Sequence, residues 1–184
     1  MNEIKSYKDL KFFVIRDLGQ RKVAISPMLL LNPVIRFQIS LRAYELLINR
    51  KSVLRLPFKI YFNRLSIRLG FSIPPNVFDH GLCIVHYGNI VVNPNAKIGK
   101  NCRVHVGVNI GGKAGFYKPD IAKTLCPTIG DDCYIGPGAK IFGPVNIADG
   151  CSIGANAVVT KSCDIVDSIL LGIPAKRLVK NGKN

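Results

Sequence analysis

The sequence predicts a mainly β protein: a single-stranded parallel β-helix of hexapeptide repeats over residues 73–184, with a C-terminal tail, preceded by an N-terminal α-helical segment over residues 1–72. Two observations carry this reading. From Val92 onward a branched aliphatic returns every six residues, often followed by Gly, with a small or branched residue four places behind it. The chain before residue 73 lacks that period and shows basic, amphipathic stretches punctuated by Asn and Pro.

The N-terminal segment reads as a helix over 33–49, with Pro33 in its first turn after Asn32, and a second over 52–69, with Pro57 near its start. In the second, Leu54, Phe58, Tyr61, Phe62 and Leu65 form an apolar stripe, and Arg55, Lys59, Arg64 and Arg68 occupy much of the rest. Such helices suit a cap over the first coils or against a neighbouring subunit; contact with a membrane surface is the alternative. Residues 27–48 are apolar-rich, but Asn32, Arg36, Gln38, Arg42 and Glu45 interrupt them too often for a lipid-spanning helix. The link IPPN at 73–76 ends the helices.

The repeat opens at Val92 with VNPNAK, IGKNCR and VHVGVN and breaks after Ile110. It resumes at Ile129 with IGDDCY, IGPGAK, IFGPVN, IADGCS, IGANAV, VTKSCD, IVDSIL and LGIPAK. Each unit reads as a short strand and a sharp turn, with the leading aliphatic and the fourth-following residue pointing inward and Gly or Asn supplying the turn. Three units make a coil, and coils stacked about 4.8 Å apart build parallel sheets around a ladder of Ile and Val. Cys102, Cys133, Cys151 and Cys163 fall on the fourth-following position with Ala96, Ala139, Ala157 and Ala175, so they read as small packing residues. No C-x-x-C pair supports a zinc site or a disulfide framework.

A composition of 48% hydrophobic and 20% charged residues excludes a disordered chain. The formal charge of +15 is uneven: residues 1–70 hold 14 Lys and Arg against 4 Asp and Glu. Nucleic acid is not expected as a partner, since no recognition motif accompanies the charge. With no secretory signal in MNEIKSYKDLKFF, the expected compartment is the cytoplasm, with peripheral contact at the inner membrane face as the variant that the basic helices allow.

Chemistry is expected where the repeat is disturbed. The three histidines fall between His80 and His105. Deprotonating a hydroxyl near neutral pH calls for a base such as histidine, and His86 is the best placed. If Ile84 and Ile90 both point inward, His86 faces outward on a turn; if the register of Val92 runs back unchanged, His86 points into the core. His105, 19 residues later, is expected on the adjacent coil, where it suits a catalytic role or an ordinary turn. Asp79 is the nearest upstream carboxylate that could orient an imidazole. The excursion at 111–127, GGKAGFYKPDIAKTLCP, brings Lys113, Lys118 and Lys123 for the phosphates of a nucleotide-like ligand, and Phe116 and Tyr117 for apolar contact.

Together HYGNIVV at 86–92, VHVGVNIGG at 104–112, IGPGAKIFG at 135–143, IGANAVVTK at 153–161 and GIPAK at 172–176 resemble the hexapeptide-repeat acyltransferases, and within them serine acetyltransferase and the O-acetyltransferases of bacterial polysaccharide synthesis. The resemblance covers about residues 70–180. It implies a left-handed β-helix, a homotrimer in which pairing of trimers stays open, and active sites between subunits. It implies acetyl-CoA as acyl donor, without a metal, and His86 as the base that lets a hydroxyl acceptor attack the thioester in a ternary complex. Contacts to acetyl-CoA are implied at Gly112, Pro137, Ala155, Thr160 and Lys161, beside Lys113 of the excursion. Two positions depart from the serine acetyltransferase pattern: Val85 stands where an Asp precedes the histidine, and Cys126 stands where a second histidine precedes Pro127. These departures make a sugar hydroxyl the expected acceptor, ahead of serine. A zinc site of three histidines on the same fold, and a non-enzymatic scaffold, are the remaining readings.

Overall fold

The computed structural model describes residues 3–21, 27–115 and 118–178. Three helices come first. α1 (Tyr7–Gly19), which the hydrophobic pattern did not predict, starts at a reciprocal cap: the Ser6 hydroxyl accepts the Asp9 N–H, and the Asp9 carboxylate accepts the Ser6 N–H. α2 (Pro33–Asn49) begins where the sequence places it, with Asn32 Oδ1 accepting the N–H groups of Val34 and Ile35. α3 (Arg55–Leu69) begins three residues later than expected and stops at Gly70, which takes the left-handed conformation at φ 74°. Its buried stripe is Phe62, Leu65 and Leu69 with Phe58 packed alongside, while Leu54 and Tyr61 are exposed rather than part of it.

Strands of two or three residues follow, in three sheets that form the faces of a prism. The first holds β1 (Phe71–Ser72), β3 (Ile90–Val92), β6 (Asn109–Gly111), β9 (Lys140–Phe142) and β12 (Val158–Val159). The second holds β4 (Lys97–Ile98), β7 (Thr128–Ile129) and β10 (Asn146–Ile147). The third holds β2 (Cys83–Ile84), β5 (Arg103–Val104), β8 (Tyr134–Ile135), β11 (Ser152–Ile153), β13 (Ile169–Leu171) and β14 (Lys176–Leu178). All pairs are parallel except β13 with β14. β-structure thus starts at Phe71, just before the expected residue 73.

Every leading aliphatic from Val92 to Val159 is buried, as are the four cysteines on the fourth-following position. Regular coils pair residues 18 apart, as in Val91 with Asn109 and Lys140 with Val158. The last units depart from the expected phase. Ser152 pairs with Ile169, one residue short of a full coil, and a one-residue slip exchanges the two faces of a strand. Leu170 therefore points inward and Leu171 outward, 44% exposed; Cys163 is inward as expected but bridges Ile147, and Ile165 after it is 52% exposed.

The helices close the first end of the stack, and one core runs without interruption from Val34 in α2 to Leu170. Phe37 anchors the joint, its ring 4.8 Å from Phe71 and 5.4 Å from Phe62. Beside it the buried Arg42 guanidinium donates to Asp17 and Glu45 at 2.8 and 2.9 Å, and to the carbonyls of Phe78 and Asp79. Asp17 accepts the N–H groups of Gly81 and Leu82, Gln38 donates to the Leu82 carbonyl, and Arg21 to that of Ile84. Side chains of the helices thus take the hydrogen-bonding places that a preceding strand would fill on the first coil.

Candidate active site

The corner joining the third sheet to the first stacks four turns along the prism: residues 85–89, 105–107, 136–138 and 154–156. Their backbones form a ladder in which Gly107 N–H donates to the Asn89 carbonyl, Gly138 N–H to Val106 and Asn156 N–H to Pro137, at 2.7 to 2.9 Å. The first of these turns is longer than the others. Arg103 pairs with Cys83 across 20 residues, where Tyr134 and Ser152 pair across 18. Two extra residues therefore sit between Ile84 and Val92, and Ile90 takes the inward place that Val108, Ala139 and Ala157 take on later coils. The enlarged corner carries His86 outward and exposed, so of the two registers open from sequence the outward one is observed. Gly88, at φ 128°, makes the close approach: a Cβ there would meet Val106 Cγ2 at 2.5 Å.

His105 follows β5 directly. Because the first coil is 20 residues long, His105 stands beneath Val85, and Val106 lies against Gly88. Burial holds His105 below the usual histidine range, and the nearby charges of Arg103 and His86 add to the effect. Its Nε2 is buried without a hydrogen-bond partner, and its ring lies 4.9 Å from that of Tyr134 on the next coil. Tyr134 was missed from sequence, although carrying the register across the excursion places it beside Arg103.

Asp79 lies at the preceding corner, between the second and third sheets, where its Oδ1 accepts the His80 N–H at 2.7 Å. His80 shares that corner, edge-on to Phe12 and Phe13 with ring centroids 5.0 and 5.7 Å away. Burial holds it below the ordinary histidine value, against the opposing pull of Asp79. The three histidines therefore divide between two corners. Among the described residues, no group of three His, Cys, Asp or Glu side chains is placed to hold a metal ion.

The residues expected at acetyl-CoA also divide. Pro137 and Ala155 share the corner of His86, further along the stack. Gly112, Lys113, Thr160 and Lys161 lie at the next corner, across the outer side of the first sheet. There Lys113, Thr160 and Lys161 line a cavity of about 550 Å³ together with Phe142 and Pro144. The excursion is built on a closed neck: Lys113 N–H donates to the Leu125 carbonyl at 2.8 Å. Inside it lies a short helix, α4 (Pro119–Thr124), where sequence suggested only loop. Lys118 and Lys123 are exposed, and Phe116 and Tyr117 lie outside the described residues. Cys126 is buried against Gly112: a Cβ on Gly112 would stand 3.0 Å from its Sγ and 3.2 Å from the Leu125 carbonyl oxygen.

Residues 126–161 match the family model "Bacterial transferase hexapeptide (six repeats)". Serine acetyltransferase of Bacillus subtilis (strain 168) is 35% identical over 125 residues, covering 67% of this chain and 52% of its own length. The apoenzyme structure of soybean serine acetyltransferase superposes with a TM-score of 0.79 at 25% identity, over 93% of this chain and 69% of that one. That of Neisseria gonorrhoeae serine acetyltransferase in complex with serine superposes with a TM-score of 0.70 at 26% identity, over 95% and 71%. The chain spans about half the length of the curated relatives it matches. These likenesses overturn the expectation of a sugar acceptor: relatives by sequence and by structure alike are serine acetyltransferases. Val85 and Cys126, on which that expectation rested, do not outweigh these likenesses. The chain carries the repeat of the bacterial transferases and resembles serine acetyltransferase.

Proposed function

We propose that this hexapeptide-repeat chain, akin through its β-helix to the serine acetyltransferases, transfers acetyl from acetyl-CoA to the hydroxyl of serine, with His86 as general base. The observation that carries the reading is the enlarged corner at 85–89, which alone among the four stacked turns presents an exposed imidazole. In the step proposed, His86 takes the hydroxyl proton as the oxygen attacks the thioester carbonyl. The tetrahedral adduct then expels the thiolate of CoA, which takes that proton back from the imidazolium. Acetyl-CoA would run along the outer side of the first sheet, from Pro137 and Ala155 to Lys113, Thr160 and Lys161. This path links the two corners and leads the anionic end of the donor toward lysines.

The likeness to serine acetyltransferases also supports a left-handed coil and a homotrimer. A single chain leaves the reactive corner open to water, flanked by exposed Tyr87, Val91, Val106 and Tyr134. A neighbouring copy would cover this apolar rim and exclude water from the base. No helix among the described residues is long and apolar enough to cross a membrane.

The test is thiol release from acetyl-CoA in the presence of L-serine. His86→Ala is expected to lower kcat on the order of a hundred- to ten-thousandfold, with mass by light scattering and Tm unchanged. Full turnover in that variant would remove His86 as base. A wild-type protein that turns over acetyl-CoA with another hydroxyl but not with serine would remove the acceptor.

A further inference from the structure

α3 has two apolar sides. Phe58, Phe62, Leu65 and Leu69 face the core. At about 100° per residue, Leu56, Ile60 and Ile67 fall on the opposite side of the helix, where they are 65%, 58% and 80% exposed. Val53 and Leu54, just before the helix, are exposed as well. The bands between the two stripes are basic: Arg55 and Lys59 on one flank, Arg64 and Arg68 on the other, all exposed and without an ion-pair partner among the described residues. Arg50 and Lys51 precede them, and residues 50–70 contain no Asp or Glu.

An exposed stripe of branched aliphatics flanked on both sides by cations is the pattern of a helix lying at an interface. Pairing this face with itself across a two-fold axis would bring together two sets of cations with no carboxylate to relieve them. Nucleic acid would satisfy the cations and leave Leu56, Ile60 and Ile67 in water. We propose that the outer face of α3 docks the protein on an anionic lipid surface. The three aliphatics enter the boundary between headgroups and acyl chains, and the four flanking cations meet lipid phosphates. This surface is separate from the acetyl-transfer corner and does not depend on the acceptor.

The experiment is co-sedimentation of the full chain with vesicles of phosphatidylcholine alone or mixed with phosphatidylglycerol. Binding is expected with the mixed vesicles only, and to weaken as salt rises. The variant Leu56→Ser/Ile60→Ser/Ile67→Ser alters only outward positions. It is expected to lower partitioning by about tenfold or more, with Tm and acetyl transfer in solution unchanged; Arg64→Gln/Arg68→Gln should also weaken binding. Equal sedimentation with both vesicle types, or full binding by the serine variant, would overturn the proposal. So would a wild-type oligomer that the serine variant dissociates, which assigns the face to a second copy, or duplex DNA bound more tightly than vesicles by both proteins.

Discussion

The imidazole of His105 and the phenol ring of Tyr134 lie 4.9 Å apart on neighbouring coils, inclined at 56°. This packing leaves His105 Nε2 without a partner and makes its protonation costly. His80 is disfavoured as a cation in the same way. Both folded-state values lie below the unfolded one, so the unfolded chain binds more protons in the window between them. Stability should be complete above the ordinary value of 6.5 and fall as pH drops below it. Thermal melts from about pH 8 to pH 5 should show Tm declining on the acid side, and His80→Gln and His105→Gln should each flatten that decline.

Arg42 is the single cation between two buried carboxylates. Removing it strands Asp17 and Glu45, for which about 3–5 kcal/mol is typical. In urea denaturation, Arg42→Met should lose about that much stability. Asp17→Asn should lose less, because an amide oxygen still accepts from Gly81 and Leu82. Equal losses would show that the backbone bonds, and not the charges, carry the joint.

Gly112 touches the neck of the excursion. Gly112→Ala forces its Cβ onto Cys126 Sγ and the Leu125 carbonyl, and should raise KM for acetyl-CoA severalfold. Cys126→Ala in the same chain should restore part of the loss, since the sulfur is the nearer obstacle. A double-mutant cycle without coupling would place the effect elsewhere.

Lys113 and Lys161 line one cavity at the far end of the proposed donor path. Lys113→Ala and Lys161→Ala should each raise KM for acetyl-CoA by about three- to tenfold at low ionic strength and by less at high salt. Values of kcat should hold, because neither residue shares the corner of His86. An unchanged KM in both variants would move the anionic end of the donor away from this cavity.

Val85 occupies the position directly before His86, the proposed base. Introducing a carboxylate there should help grip the amino group of serine. Val85→Asp is expected to lower KM for serine by about tenfold, the worth of one hydrogen bond to a charged group. A higher KM or lost activity would show that this chain recognises serine with other residues.

The interior of the β-helix was legible because a six-residue period decides which side of a short strand meets the core. From Val92 to Ile110 and from Ile129 to Val159 nothing competes with it. The period is silent where coil length changes. Two residues added between Ile84 and Val92 left the direction of His86 open; Cys163 in place of Ile165 beside Ile147, and one residue lost before Ile169, turned Ile165 and Leu171 outward, against expectation. α1 was missed although its cap, Ser6 with Asp9, is a local start signal, because only the stretches beginning at Asn32 and around Pro57 were read for helix starts. In α3 the inward stripe was read with one turn too many, and the outward one was overlooked because the two lie on opposite sides and blur each other. Lys113, Thr160 and Lys161 line one cavity although most of the excursion and the strands from β7 to β12 separate them in sequence, whereas Asp79 belongs to a neighbouring corner that sequence distance could not separate from that of His86.

The side chains of Asp17, Arg21, Gln38 and Arg42 fill the hydrogen-bonding edge of the first coil, and antiparallel β14 covers the edge of β13 at the other end. A stack of parallel strands has no internal reason to stop growing, since each coil is a template for the next. By ending both edges, the helices and the final strand set the number of coils. They keep the chain from polymerising end to end into a fibre of the same repeat.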